Sequence, residues 1–240
     1  MISFERGRYS VSAGTGAEAV AEAQALRAVC FGRARDVDDF DAACTHILIH
    51  ETASGRLVAC FRMLPLSGAE IAQSYSAQFY NLDALARFAG KMVEMGRFCV
   101  DPAVTDPDVL RVAWGAMTAY VDREEIELLF GCSSFAGTDA GAYLDAFALL
   151  RDRHLAPPRW RPGVKAADVF RFADEVARKP DPKRAMQHMP PLLKTYLLMG
   201  GWVSDHAVID RDMNTLHVFT GVEIGAIPPA RKKLLRSVAG

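Results

Sequence analysis

The chain has little net charge, few cysteines and no long apolar run, and each shortage removes a class of function. Its formal net charge is −1 over 240 residues, which gives no global attraction to nucleic acid, and zinc-finger and aromatic-basic RNA-binding signatures are missing. No stretch approaches the ~20 apolar residues of a membrane span, and residues 1–9 are polar and charged, unlike a secretory leader. The five cysteines are odd in number and include no C-x-x-C pair, which fits a reducing cytoplasm. Cys99 and Cys132 fall in strand-like runs, where they read as small buried hydrophobes. There is no G-x-x-x-x-G-K-[ST] loop to support nucleotide hydrolysis. His46 and His50 would meet on a helix, but on a strand they stand ~13 Å apart, too far for one ion, so no metal site is expected.

What is present is a globular composition, 50% hydrophobic and 24% charged. That is enough for one large core, read here as a single domain over residues 1–240, with about 188–222 as a C-terminal extension of that core. Thr15-Gly16-Ala17-Glu18 reads as a capping box opening a helix through Val20 and Leu26 toward Cys30. An acidic, irregular stretch follows from Arg35 to Ala43. Thr45 to His50 and Arg56 to Leu66 read as strands joined by a turn at Thr52-Ala53-Ser54-Gly55. After a variable segment with a helix expected around Leu82 to Phe88 comes a strand from Lys91 to Val100. Pro107 opens a helix through Leu110, Trp114 and Tyr120. A strand from Ile126 to Ser134 and a helix from Ala140 to Arg153 follow, giving an α/β fold with a mixed sheet.

The Lys91–Val100 run, KMVEMGRFCV, places Glu94 and Arg97 among apolar neighbours. Ionised groups in a buried strand must satisfy each other or serve chemistry. They are an odd number of positions apart, so a regular strand would point them to opposite faces. A bulge brings them to one face, and Gly96 is the residue expected to permit it. A bulge also turns backbone N–H groups out of the ladder, where Gly96, Arg97 and Phe98 would hold a developing oxyanion beside Glu94 as general base. That is equipment for acyl transfer; the alternative is an inert buried Glu–Arg pair.

The helix, hairpin, Glu94-Met95-Gly96-Arg97-Phe98 strand, helix and Leu129-Phe130-Gly131-Cys132-Ser133-Ser134 strand resemble the GNAT acyltransferase fold. Leu26-Arg27, Cys30-Phe31, Asp38, Phe40-Asp41, Thr45-His46, Phe61-Arg62 and Glu94-x-x-Arg97-Phe98 follow the order and approximate spacing of acyl-homoserine-lactone synthases and their relatives, although the tryptophan usual between the first helix and the acidic stretch is missing. Pro190-Pro191-Leu192-Leu193-Lys194-x-Tyr196-Leu197, Gly200 to Asp210, Asn214-Thr215 and His217-Val218-Phe219 resemble the tail of ornithine lipid N-acyltransferases. The resemblance implies a GNAT-like mixed central sheet with a bulged, splayed central strand pair and flanking helices. It also implies transfer of a 3-hydroxyacyl group from acyl carrier protein to the α-amine of L-ornithine, giving lyso-ornithine lipid. The alternatives are a lactone synthase using S-adenosylmethionine and a non-catalytic carrier- or lipid-binding module.

No permanently bound cofactor is expected, the donor being the phosphopantetheine arm of the carrier. Arg111 to Ala116 (RVAWGA) departs from the family's pyrophosphate-binding R/Q-x-x-G-x-G/A. Arg27, Arg62 and Arg97 are candidates for the ornithine carboxylate, because a planar fork matches a carboxylate bidentately. Asp38 and Asp41 are candidates for its side-chain ammonium, Phe31 for a lid, and Ser133 and Ser134 for further substrate contacts. Alternatively Arg27, Asp38, Asp41 and Arg62 form an ion-pair network that orders the acidic loop. Arg151, Arg153, Arg159, Arg161 and Lys165 are candidates for docking the acidic carrier. Arg231-Lys232-Lys233-Leu234-Leu235-Arg236 suggests a weak peripheral contact with the inner face of the membrane for an otherwise cytoplasmic protein.

Overall fold

Short apolar runs bounded by turn residues form the strands, and longer periodic segments form the helices. The computed structural model describes residues 2–239. From the N-terminus run β1 (Ser3–Arg6), β2 (Tyr9–Gly14) and α1 (Ala17–Cys30), then β3 (Thr45–Glu51) and β4 (Leu57–Leu66). The two-residue β5 (Tyr80–Asn81) precedes β6 (Met92–Val100), α2 (Asp108–Glu124), β7 (Leu128–Ala136) and α3 (Leu144–Arg153). Next come β8 (Gly163–Val164), β9 (Val169–Phe170), α4 (Phe172–Glu175), α5 (Pro182–His188) and α6 (Pro191–Leu198). The chain closes with β10 (Trp202–Val203), β11 (Ala207–Asp210), β12 (Thr215–Glu223) and α7 (Pro229–Ala239). No described helix is long and apolar enough to cross a membrane. The chain divides into two compact units, residues 2–65, 93–126 and 228–239, and residues 66–92 and 127–227.

In the first unit the strands are ordered β1-β2-β3-β4-β6. Directly opposed residues of adjacent strands share a face, so the register His46↔Arg62 and Leu48↔Cys60 puts all four on one side. That side carries α1: Ala23 and Leu26 pack with Leu48, Leu57, Cys60 and Cys99, and Phe31 packs partly buried against the same cluster. Arg27 lies four residues after Ala23, on the same helical face, so the buried stripe of α1 carries a guanidinium. Asp101 N–H donates to Val58 O at 2.8 Å, setting the end of β6 against the start of β4.

In the second unit β7-β12-β11-β9 run side by side, and β10 also pairs with β12. Ser134 stands opposite His217 and Cys132 opposite Phe219 along the antiparallel β7–β12 ladder. Phe135, Phe147, Phe172, Leu193 and Leu216 lie in its core.

Four local expectations need correction. Gly16 caps α1 with no side-chain hydrogen bond, so the capping box at Thr15 does not form. The segment around Leu82–Phe88 makes only a 3₁₀ turn, Leu85–Arg87, because three periodic residues cannot repay helix nucleation. The helix expected from Ala140 starts as a 3₁₀ turn, Ala140–Tyr143, before α3. The left-handed residue in β6 is Arg97, φ +53, and Gly96 is not left-handed.

Candidate active site

Arg97 supplies the break in alternation. An ideal Cβ on Gly96 would lie 3.6 Å from Arg62 Nε, so position 96 faces Arg62. Arg97 itself reaches Asp36 and Asp38, at 3.2 Å each, and Asp38 is also bound by Arg62. Two consecutive residues therefore face one side, which an extended strand forbids and a left-handed residue allows. Glu94, two positions before Gly96 and buried, belongs to that same face by the period of the strand. A non-glycine residue held left-handed costs roughly 1–2 kcal/mol, and such strain clusters at functional sites.

Around this face the acidic stretch folds back over the sheet. Arg27, 1% exposed, spends its guanidinium inside: Nε donates to Asp36 Oδ2 at 2.6 Å, Nη1 to Asp41 Oδ1 at 2.7 Å, and Nη2 to Asp36 O and Asp41 Oδ2. Arg62 donates from Nη1 and Nη2 to the two oxygens of Asp38, at 2.5 and 2.8 Å, and from Nη1 to Asp41 at 2.6 Å. Its guanidinium also lies over the Phe40 ring at 5.6 Å. Gln24 Nε2 donates to Asp41 Oδ2 at 2.8 Å. His46 Nε2 contacts Asp41 O at 3.0 Å, and since a carbonyl only accepts, that nitrogen carries the proton. Burial pushes the His46 ring toward its neutral form.

Arg27, Arg62 and Arg97 thus face Asp36, Asp38 and Asp41, charge against charge, and Glu94 is a further carboxyl on the Arg62 and Arg97 side. Burial by itself would raise the Asp41 carboxyl, but hydrogen bonds from Arg27, Gln24 and Arg62 outweigh it and hold the group far below the usual carboxylate range. Burial likewise opposes the Arg62 charge, and Asp38 and Asp41 reverse that. Asp38 is the most open of the three aspartates, with its side chain 20% exposed.

Within the first unit the fold brings together Arg27, Asp38, Asp41, Arg62, Gly96 and Arg97. Phe98 stacks on Phe61 at 5.7 Å. Asp36, which bridges Arg27 and Arg97, Gln24 and His46 belong to the same network and were missed: one more acid in an acidic stretch has no periodicity to mark it. In the second unit Ser133 is buried and its hydroxyl accepts from Thr220, while Ser134 is exposed.

The basic candidates for carrier docking are in large part engaged locally. Arg151 pairs with Asp152 and donates to Val176 O. Arg159 pairs with Glu223 at 3.2 Å, Arg161 donates to Ala156 O, and Lys165 Nζ to Ala77 O at 2.5 Å. Arg153 and Arg161 are exposed.

Residues 20–115 match the acetyltransferase (GNAT) domain model. The chain is 35% identical over 190 residues to the L-ornithine N(alpha)-acyltransferase of Rhodobacter capsulatus, covering 76% of this chain and 72% of that protein. It is 31% identical over 204 residues to the protein of the same name from Rhizobium meliloti, covering 81% and 69%. Among solved structures, a CoA-dependent acyl-homoserine lactone synthase, BjaI, with MTA, superposes with a TM-score of 0.50 at 12% identity, covering 93% of this chain and 83% of that one, a likeness of fold. A buried carboxyl on a broken strand inside a GNAT domain and this similarity along most of the chain lead to one conclusion: the protein is an N-acyltransferase and belongs to the L-ornithine N(alpha)-acyltransferase family.

Proposed function

We propose that the protein transfers a 3-hydroxyacyl group from the phosphopantetheine arm of acyl carrier protein to the α-amine of L-ornithine, forming lyso-ornithine lipid and free carrier thiol. The observation that carries this reading is the similarity to curated L-ornithine N(alpha)-acyltransferases over most of the chain, together with Glu94 on the arginine-rich face of β6. Glu94 takes a proton from the ornithine ammonium, directly or through water, and the amine nitrogen attacks the thioester carbonyl. Backbone N–H groups at Gly96, Arg97 and Phe98 hold the oxyanion, collapse of the tetrahedral intermediate breaks the C–S bond, and the second proton lost by the nitrogen passes to the departing sulfur to give the free thiol. A general base contributes on the order of 10²–10⁴-fold, and an oxyanion donor about 10²–10³-fold.

Arg27 and Asp41 are spent on each other and on Asp36 and Arg62, so in this reading they hold the loop. Arg62 and Arg97 serve the ornithine carboxylate, and Asp38, with its more exposed oxygens, serves the side-chain ammonium. Phe31, packed at the end of α1, covers the entrance. The carrier docks through Arg153 and Arg161, with Arg151, Arg159 and Lys165 beside them, and the basic α7 gives a weak contact with anionic lipid. Its Arg236 is partly neutralised by Asp122 at 2.8 Å.

The test is product mass after incubation with 3-hydroxyacyl carrier protein and either ornithine or S-adenosylmethionine. Acylated ornithine is expected; a lactone product, or none, overturns the reading. Glu94→Gln should keep the fold and lower turnover about 10²-fold or more, and near-normal turnover at saturating substrate removes Glu94 from the mechanism.

A further inference from the structure

The acidic stretch that folds over β6 is anchored on its inner side and apolar on its outer side. α1 closes in a Schellman motif: Gly32 N–H donates to Val29 O and Arg33 N–H to Ala28 O, with Gly32 at φ +62. Three residues on, Asp36 is buried and bound by Arg27 and Arg97, and Asp38 is bound by Arg62 and Arg97. The chain from Val29 to Asp38 is therefore held at both ends.

Held in this way, it shows solvent two valines, Val29 at 67% exposure and Val37 at 52%. A single exposed apolar side chain is ordinary, but Val29 continues a strip of α1 in which Ala25 and Ala21, at successive steps of four residues, are also exposed. Arg33, Ala34 and Arg35, between the valines, are exposed too. Asp36, Asp38 and Asp41 spend their charge inward on Arg27, Arg62 and Arg97, and Asp39 is the exposed acid of the stretch. The outer side is thus apolar surface edged by two guanidiniums.

Such a surface fits an acidic protein with an apolar face better than a bilayer. Segments that lie in a membrane interface bring Trp, Phe or Leu to it, whereas here the exposed apolar side chains are Val and Ala, and Phe31 packs back against the α1 cluster. A second copy of this chain would bring like guanidiniums together. The position also suits a donor: Arg35 and Val37 flank Asp36, whose carboxylate lies 3.2 Å from Arg97 Nε, and neighbouring Cα atoms are ~3.8 Å apart. A carrier seated here contacts the same unit that holds β6, one residue away from a group that touches Arg97. Because the segment is pinned before anything binds, docking costs little ordering.

We propose that Val29, Arg33, Arg35 and Val37 form a docking face on the first unit for acyl carrier protein, with the valines against its apolar surface and the arginines against its carboxylates. The assignment rests on the reading that the donor is carried by that protein, and it adds a contact to the basic residues of the second unit.

The experiment measures the Kd of labelled acyl carrier protein by fluorescence anisotropy, and kcat and KM with the acylated carrier and with the matching acyl-pantetheine thioester. Arg35→Glu should raise Kd and KM for the carrier about tenfold at low salt and leave kcat and the pantetheine thioester unchanged, because steering belongs to the protein partner. That loss should shrink with added salt, whereas the loss in Val29→Ser should persist, since apolar contact is not screened. Both side chains lie on the surface, so thermal unfolding should match the wild type. Wild-type binding of the carrier that neither variant weakens, or equal losses on both donors, overturns the docking face alone. Variants that lose binding to phosphatidylglycerol vesicles while keeping the carrier KM assign the surface to lipid and overturn it as well. A wild type that neither binds nor uses the carrier, yet acylates ornithine from the pantetheine thioester, refutes the carrier reading itself and the face with it.

Discussion

Asp41→Asn is the sharpest test of the network behind β6. Asp41 accepts from Arg27, Arg62 and Gln24 in a place where both arginines are almost wholly buried. The substitution preserves shape but leaves three guanidiniums facing two aspartates. Removing one partner of a buried ion pair typically costs about 3–5 kcal/mol, because the remaining charge stays desolvated. With a urea m-value of about 1–3 kcal/mol per M, that lowers the midpoint by about 1 M or more at unchanged slope. The loss should also depend on pH in a defined direction. The Asp41 carboxyl titrates lower in the folded state than in the unfolded chain, so its contribution is complete above the unfolded value of about 3.9 and disappears as pH falls through the folded one. The variant should therefore lose stability at neutral pH and show a shallower acid limb. Arg27→Met combined with Asp41→Asn should cost less than the sum of the single changes, since each removes the other's stranded charge. A neutral-pH loss below about 1 kcal/mol, or additive single effects, would refute a buried, mutually dependent network.

Further outcomes follow from other sites. Arg97→Ala should be less stable than Arg97→Gly by about 1 kcal/mol, because glycine adopts φ +53 without strain; equal thermal unfolding would contradict the left-handed backbone. Arg159→Glu with Arg161→Glu should raise KM for acyl carrier protein at low salt and spare a pantetheine thioester, and equal losses with both donors would make the patch structural. Burial lowers the His217 pKa to about 4, with Asp210 opposing and His206 assisting. The folded state thus binds fewer protons than the unfolded chain between about pH 6.5 and 4, and stability should fall across that window as pH falls, by about 3 kcal/mol at the limit. Urea unfolding at pH 7 and pH 4 should show this loss reduced in His217→Asn.

Much of the fold was legible because its signals are local. β3, β4 and β6 lie within two residues of the expected bounds and α2 starts one residue after Pro107, since continuous apolar runs and a proline helix start need no distant partner to be read. The Leu82–Phe88 helix failed because a weak local pattern yielded to a 3₁₀ turn. The break in β6 was legible as a conflict: Glu94 and Arg97 could share a face only if alternation failed between them. Which residue would take the left-handed backbone was not. Gly96 is the cheap choice by intrinsic preference, but the ion pairs of Arg97 with Asp36 and Asp38 accompany the strain at Arg97.

The sequence by itself determined the class of fold, the charged pair in an apolar strand and the residue types for acyl transfer, because composition, period and spacing are properties of the chain. Only the tertiary structure decided what each charge does. Arg27, Arg62 and Arg97 look alike in sequence, yet Arg27 is sealed against Asp36 and Asp41, while Asp38, held by Arg62 and Arg97, keeps a fifth of its side chain open to solvent. His217 enters the sequence only as part of the His217-Val218-Phe219 stretch of the tail, and it is Tyr80, 137 positions away, that fixes its tautomer. Desolvation and hydrogen-bond partners set the roles of such groups, and both arise from contacts between residues far apart in the chain, which no local pattern encodes.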